Sequence, residues 1–218
     1  IEVTSREALA DACRRSAEAG LSVAIHAIGD RAVRHALDAI GSVGEAGLRF
    51  PRPPRVEHVQ LSRTEDWPRF RGLSVVASIQ PAHLLSDRPL ARRLWGSRTA
   101  RSYAWRGLAA AGAPLILGSD APFDRAGPLL AIQAALLRRR GEEPDGEAFH
   151  TEQRIGLSIA LHAHLEAPHR VAGWGIPLGR ISPGFVADLA HFDQDLSETP
   201  VDEWHRARVR RSWIDGSA

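Results

Sequence analysis

The sequence predicts an α/β fold, in particular a partial (β/α)8 TIM-type barrel of four strands followed by a small C-terminal β segment. Strand and helix signals alternate along most of the chain, which is typical of a parallel sheet covered by helices. The four predicted strands end at His26, His58, Gln80 and Asp120, on average about 31 residues apart. An eight-unit barrel of roughly 250 residues has the same spacing. An open doubly wound sheet has units of similar length, so spacing alone leaves both architectures open.

An initial helix and two strand-then-helix units are predicted in the first 72 residues. Thr4-Ser5-Arg6-Glu7 has the form of a capping box, and the small and apolar residues that follow predict a helix to Glu18. Residues 21–26 are typical of a short buried strand, and after Asp30 apolar residues recur at three- and four-residue steps, which predicts a helix. Residues 55–59 form the second strand, before a capped helix that contains Trp67 and Phe70.

Two more units and a β-rich end complete the pattern. Residues 73–80 predict the third strand, which Pro81 ends, and a long loop leads to a helix over about 99–111. Residues 114–119 predict the fourth strand, with helices over 129–137 and roughly 152–165 after it. From Gly173 glycine and proline become frequent, and residues 186–193 and 209–214 predict two further strands. We therefore expect a barrel segment over 1–174 and a small β segment over 175–218.

Composition excludes several classes of function. Hydrophobic residues make up 44% and charged residues 25%, as in globular proteins. All 28 basic residues are arginine, so no mechanism that needs a lysine amine operates within this chain. The net charge is only +2, and the arginine clusters lack interleaved aromatic residues, so we expect no nucleic-acid partner.

The single cysteine and the lack of a long apolar stretch predict a cytoplasmic protein. The first residue and the lack of methionine indicate that the chain is a piece of a longer protein. The single cysteine, Cys13, can form no internal disulfide, which fits a reducing compartment. The longest apolar stretch, residues 108–118, is much shorter than the roughly 20 residues of a membrane span. The chain contains no methionine and begins with Ile1, so we expect it to be incomplete.

Metal-binding residue types end three of the four predicted strands. In a barrel the active-site residues come from the carboxyl ends of the strands, and here His26, His58 and Asp120 occupy those ends. Two neutral imidazoles and a carboxylate suit zinc, and a carboxylate beside a metal can accept a proton from water. A histidine at a strand end is also often purely structural, and an aspartate there can merely cap a helix, so spacing alone supports both interpretations. His83, just past the third strand, could contact substrate.

Nucleophilic catalysis is the competing chemistry, and the sequence gives it little support. Cys13 lies on a predicted helix with no evident histidine partner, and a small buried residue is the simpler interpretation. The chain contains no Gly-x-Ser-x-Gly elbow, and Ser119 is better explained as part of the turn before Asp120.

Four motifs in order resemble the metal-dependent amidohydrolase superfamily, in particular its branch of N-substituted formamide deformylases and exoenzyme regulatory proteins. They are His-Ala-Ile-Gly-Asp-Arg-Ala-Val from residue 26, Val-Glu-His-Val-Gln from 56, Ser-Ile-Gln-Pro from 78 and Gly-Ser-Asp-Ala-Pro from 118. Residues 178–189, with Trp-Ile-Asp-Gly from 213, are similar to the return of that family's chain into its small β-sandwich domain.

The resemblance implies a distorted barrel in which His26, His58 and Asp120 bind a divalent metal, most simply zinc. Asp120 would also be the general base on the metal's water. Independently of the resemblance, the positions of Gln80 and His83 at the end of the third strand make them the expected substrate contacts. The reaction would be hydrolysis of a carbon–nitrogen bond in a small amide or cyclic amide. No His-x-His pair stands near the start and no lysine is present, so the match covers only the second half of such an enzyme.

Two hypotheses from different classes follow. In the first, the chain is the C-terminal part of an amidohydrolase, and an upstream barrel half supplies the other ligands. In the second, it is a catalytically silent half-barrel or an interaction module that pairs with itself or with another chain through open sheet edges. A metal-free binding protein with an open sheet is the third interpretation.

Overall fold

The helices and strands follow the predicted alternation closely in the computed structural model, which describes residues 3–217. In chain order they are α1 Arg6–Glu18, β1 Ala24–Ala27, α2 Asp30–Glu45, β2 Arg55–His58, α3 Trp67–Gly72, β3 Val76–Ile79, α4 His83–Trp95, α5 Trp105–Ala110, β4 Leu115–Leu117, α6 Pro128–Leu137, α7 Leu157–Leu165, α8 Ala167–Ala172, β5 Leu189–Phe192 and β6 Val209–Trp213.

Strands β1 to β4 form one sheet in sequence order. β1 pairs with β2 in parallel, with Ala27 opposite His58, and β2 pairs with β3 in parallel. The Ala77 amide in β3 donates a hydrogen bond to the Pro114 carbonyl just before β4. Parallel neighbours need helical crossovers, and α2 and α3 supply those between the first three strands. The predicted α/β fold with a parallel sheet is confirmed, and closure into a barrel stays a prediction.

Helix α2 owes its stability to an apolar stripe. Val33 and Leu37 are fully buried, and Ile40 and Val43 nearly so, at the three- and four-residue steps that place them on one face. Helix α1 packs on α2 and buries Cys13 and Ala17. The predicted cap of α1 is present, since the Ser5 side chain accepts a hydrogen bond from the Ala8 amide at 3.2 Å.

The chain divides into two compact units. The first runs to Ile79 and also includes Ala91–Ile116, so it contains β1, β2 and β3 and the helices α1, α2, α3 and α5. The second comprises Gln80–Leu90 and the chain from Leu117 onward. The predicted division into a barrel segment, residues 1–174, and a small β segment, residues 175–218, stays a prediction.

The second unit contains an antiparallel pair of strands where the sequence predicts β structure. β5 pairs with β6, with Leu189 opposite Trp213 and an irregularity between His191 and Phe192. Before this pair, α7 contains His162 and His164, as expected from the helical interpretation of that segment. The assignment of β5 and β6 to a β-sandwich domain stays a prediction.

The loop predicted between Pro81 and residue 98 is wrong, because most of it is the helix α4. The segment contains two prolines, but Pro81 precedes the helix and only Pro89 lies inside it. Burial of Leu84 and Ala91, two turns apart, provides tertiary packing that offsets the cost of that proline. The helix predicted over 99–111 is shorter than expected and is preceded by a 3-10 segment, Gly96–Arg101.

No helix within residues 3–217 combines the length and apolar composition that crossing a bilayer would require.

Candidate functional site

His26 and His58 come together in the first unit. They lie at the carboxyl ends of the neighbouring parallel strands β1 and β2, where Ala27 is directly opposite His58. The two imidazole rings meet edge to face, with centroids 4.5 Å apart and planes inclined at 69°. Parallel pairing explains the contact, because it places the ends of both strands at the same edge of the sheet. Two side chains from positions 32 residues apart in sequence thus form an imidazole pair.

The end of β2 is conformationally unusual. His58 and Val59 have φ angles of 74° and 47°, in the left-handed region. A β-branched residue is rare in that region, and such backbone strain concentrates at functional sites. Val59 is fully buried, and its amide donates to the Ala27 and Glu57 carbonyls at 3.1 and 3.0 Å. These contacts hold the turn that places His58 beside His26.

His83 and Asp120 come together in the second unit. The His83 Nε2 atom lies 3.2 Å from Asp120 Oδ2, within hydrogen-bond distance. Its Nδ1 atom lies 3.6 Å from Asp124 Oδ2, so the ring stands between two carboxylates. The His83 side chain is only 12% exposed, whereas that of Asp120 is 38% exposed. An imidazole in this position can orient the Asp120 carboxylate and carry a proton to or from it.

Gln80 and Asp120 both occupy turns that follow strands. Gln80 is buried directly after β3, and its carbonyl accepts a hydrogen bond from the His83 amide at 3.1 Å. This bond makes Gln80 the first residue of the turn that begins α4. Asp120 has a φ of 56°, and its carbonyl accepts from the Phe123 amide at 2.9 Å. Strand, tight turn and polar side chain therefore recur at both positions.

The Asp124 carboxylate beside His83 was missed by sequence reasoning. A usable signal existed, since Asp124 follows Asp120 by four residues in a loop rich in turn-forming residues. A second group that the sequence did not reveal is a set of arginines around Asp30 in the first unit. These arginines come from separate segments, so no local spacing could have indicated them.

Cys13 is buried in α1, as predicted, and burial raises the pKa of its thiol. A raised pKa reduces the thiolate fraction at neutral pH, and the thiolate is the nucleophile. The structure therefore favours the packing role for Cys13.

The Amidohydrolase family matches the chain over residues 1–218. Protein LONG AFTER FAR-RED 3 of Arabidopsis thaliana is 37% identical over 221 residues, which cover 99% of this chain and 37% of that protein. The N-substituted formamide deformylase of Arthrobacter pascens is 23% identical over 214 residues, which cover 97% of this chain and 39% of that enzyme. The chain thus spans less than two fifths of the length of these two relatives.

A solved structure of a metal-dependent hydrolase is also similar to this chain. The crystal structure of an uncharacterized metal-dependent hydrolase from Pyrococcus horikoshii OT3 superposes with a TM-score of 0.71 at 32% sequence identity, over 84% of this chain and 36% of that one. The family match covers the whole chain and agrees with the motifs at the four strand ends. The chain belongs to the amidohydrolase family.

Proposed function

We propose that this chain is the C-terminal part of a cytoplasmic, metal-dependent amidohydrolase that cleaves non-peptide carbon–nitrogen bonds in small amides or cyclic amides. The observation that carries the proposal is the contact between His26 and His58 at the ends of adjacent parallel strands. Membership of the amidohydrolase family supports the same chemistry. Nucleic acid and membrane are not among the partners that we propose.

The donor set fits a divalent metal. We assign His26, His58 and Asp120 as ligands, since imidazole nitrogen and carboxylate oxygen are the donors that zinc prefers among residues of this kind. Zinc is the metal that we expect. When bound, a metal of this type polarises the amide carbonyl and lowers the pKa of a water molecule.

Asp120 is the proposed general base. Its partly exposed carboxylate accepts a proton from the water that attacks the amide carbon, and then delivers that proton to the departing nitrogen. His83 orients this carboxylate through the 3.2 Å contact, and Asp124 holds the other side of the imidazole. Gln80 and His83 are the proposed substrate contacts.

The remaining ligands must come from outside these 218 residues. No His-x-His pair precedes the first strand and the chain has no lysine, so we propose that an upstream barrel half of the full-length protein, or less simply a second copy, completes the site. The catalytically silent fragment and the interaction module remain the alternatives that the following experiment separates.

Metal analysis and turnover of the full-length protein test the proposal. We expect about one or two equivalents of bound zinc and hydrolysis of N-formyl amines or cyclic amides. His26→Ala and His58→Ala should lower metal content, and Asp120→Asn should lower kcat by roughly 10²- to 10⁴-fold, the range of general-base catalysis. His162→Ala is the control, since this exposed histidine lies on α7. Unchanged metal content in both histidine variants would overturn the metal assignment, and a metal-loaded but inert protein would favour the silent alternative.

A further inference from the structure

A cavity of about 720 Å³ in the first unit is lined only by charged side chains. Five of the seven lining residues are arginines, and the other two are Asp30 and Glu65. Such a surplus of guanidinium groups around one space creates a positive potential, which attracts anions. Guanidinium is also the side-chain group best suited to bind carboxylate and phosphate oxygens in pairs.

Positive charges outnumber negative charges around Asp30. Asp30 is only 8% exposed, and three guanidinium groups surround its carboxylate. Arg98 Nη1 lies 3.3 Å from Asp30 Oδ1, while Arg63 Nε and Arg101 Nη2 lie 3.8 and 3.9 Å from Oδ2. One carboxylate among three guanidinium groups leaves the cluster with two positive charges in excess. Only the contact with Arg98 is short, so the other two arginines are not tightly engaged by this carboxylate.

The remaining charges of the cavity do not cancel this excess, because the negative charge of Glu65 is matched in number by the positive charge of Arg31. Arg34 is bonded to the buried Asp66, which lies outside the lining. The pKa of Glu65 lies below its ordinary value, mainly because of a backbone hydrogen bond and, to a smaller extent, because of the positive charges of Arg34 and Arg101. The exposed Glu65 carboxylate is therefore ionised at neutral pH and is stabilised by the same arginine charges.

The cavity lies at the functional edge of the sheet. Asp30 begins α2 three residues after β1 ends, and Arg63 follows β2, so both lie beyond the carboxyl ends of the strands that carry His26 and His58. A second cavity, of about 890 Å³, is lined by His26 together with Asp30 and Arg98. The two cavities therefore share Asp30 and Arg98, and His26 of the imidazole pair lines the second of them.

We propose that this arginine cavity binds an anionic group, a carboxylate or a phosphate, on the substrate of the enzyme. This assignment rests on the proposed hydrolase function and narrows its substrate class to amides that carry a negative charge away from the scissile bond. Asp30 holds the guanidinium groups in place when no anion is bound, and the substrate anion takes the positions that its single carboxylate cannot fill.

Anion binding can be measured without turnover. Inorganic phosphate and acetate are titrated calorimetrically into the full-length protein at low ionic strength. Arg98→Gln and Arg63→Gln should each weaken binding roughly tenfold, the effect of losing one charge-assisted contact. Asp30→Asn should tighten binding, because it removes the competing internal anion. Arg15→Gln is the matched control, since Arg15 pairs with Asp11 on α1 away from this cavity and should leave binding unchanged.

The outcomes separate the two proposals. Binding of either anion that weakens in the arginine variants supports the site. Because phosphate carries the larger charge, acetate binding as tight as phosphate binding favours a carboxylate on the substrate, and a large preference for phosphate favours a phosphorylated substrate. Binding that is absent, or equal in wild type and in both folded arginine variants, overturns the anion site even if amides are hydrolysed. If the arginine variants weaken anion binding but the protein hydrolyses no amide, the proposed function is contradicted and the anion site is supported. In an active enzyme, the preference for a carboxylate-bearing amide over its neutral counterpart should fall roughly tenfold in Arg98→Gln.

Discussion

Asp66 and Asp38 allow a test of how strongly burial affects the free energy that an ion pair contributes to folding. Each carboxylate contacts two arginines, and both contact Arg69. Asp66 accepts from Arg34 Nε at 3.0 and 3.2 Å through its two oxygens and from Arg69 Nη1 at 3.1 Å. Asp38 accepts from Arg69 at 2.7 Å and from Arg6 at 3.2 Å. The Asp66 side chain is 1% exposed, whereas that of Asp38 is 35% exposed.

The same substitution, aspartate to asparagine, should therefore have unequal effects. Asp66→Asn keeps the shape but removes the charge and turns an amide donor toward a guanidinium. Breaking a buried ion pair costs about 3–5 kcal/mol. The two arginines here are about one-third exposed and regain some water, so we expect about 2–3 kcal/mol. Asp38→Asn should cost about 1 kcal/mol or less, as for exposed pairs.

Urea unfolding followed by circular dichroism measures both costs, and an unchanged m-value shows that the unfolding transition is comparable. Hydrogen exchange in peptides from Asp30–Glu45 and Trp67–Gly72 then shows whether the loss is local to the helices that Asp66 joins. Equal costs for the two variants would refute the argument from burial.

Two further predictions concern packing and pH. A Cβ at Gly107 would overlap the Trp67 ring, so Gly107→Ala should lower the free energy of unfolding by about 1–3 kcal/mol in urea titrations. Gly44 in α2 has open space around it, so Gly44→Ala should be neutral or stabilising by up to about 1 kcal/mol. Equal effects of the two substitutions would show that the Trp67 contact relaxes freely. The pKa of Glu166 lies below its ordinary value of 4.5, mainly because its carboxylate accepts a hydrogen bond from Arg180. The ion pair therefore stabilises the fold above pH 4.5, and this stabilisation is lost as the pH falls through the lowered pKa. Glu166→Gln should then reduce Tm at pH 7 and lessen its decline below about pH 4.5, and parallel pH profiles of the two proteins would contradict this.

Much of the fold could be predicted because its signals are local. The strand ends at His26 and His58 and the apolar stripe of α2 depend on residues close together in sequence, and the structure reproduces them. Helix α4 could not be predicted in this way. Its pattern contains Pro89, and it is stabilised by the burial of residues such as Leu84, which no local window reports.

The sequence indicated candidate site residues by their positions at the ends of predicted strands, but it did not indicate the residues around them. Strand-end position singled out His26, His58 and Asp120, because parallel strands bring their carboxyl ends to one edge. The contact between His83 and Asp120 depends on α4, which begins at His83 and was not predicted. The arginines around Asp30 come from distant segments, so their convergence depends on tertiary structure alone.

The left-handed backbone at His58 and Asp120 has a consequence for how these positions can drift during evolution. Histidine, aspartate and asparagine tolerate that conformation far better than bulky apolar side chains do, and glycine tolerates it best. Replacement by valine or leucine would be disfavoured by the main chain itself, whatever the side chain contributes to the candidate site. These turns therefore favour side chains that can also bind a metal, and in homologues that need no ligand there we expect asparagine or glycine at the two positions.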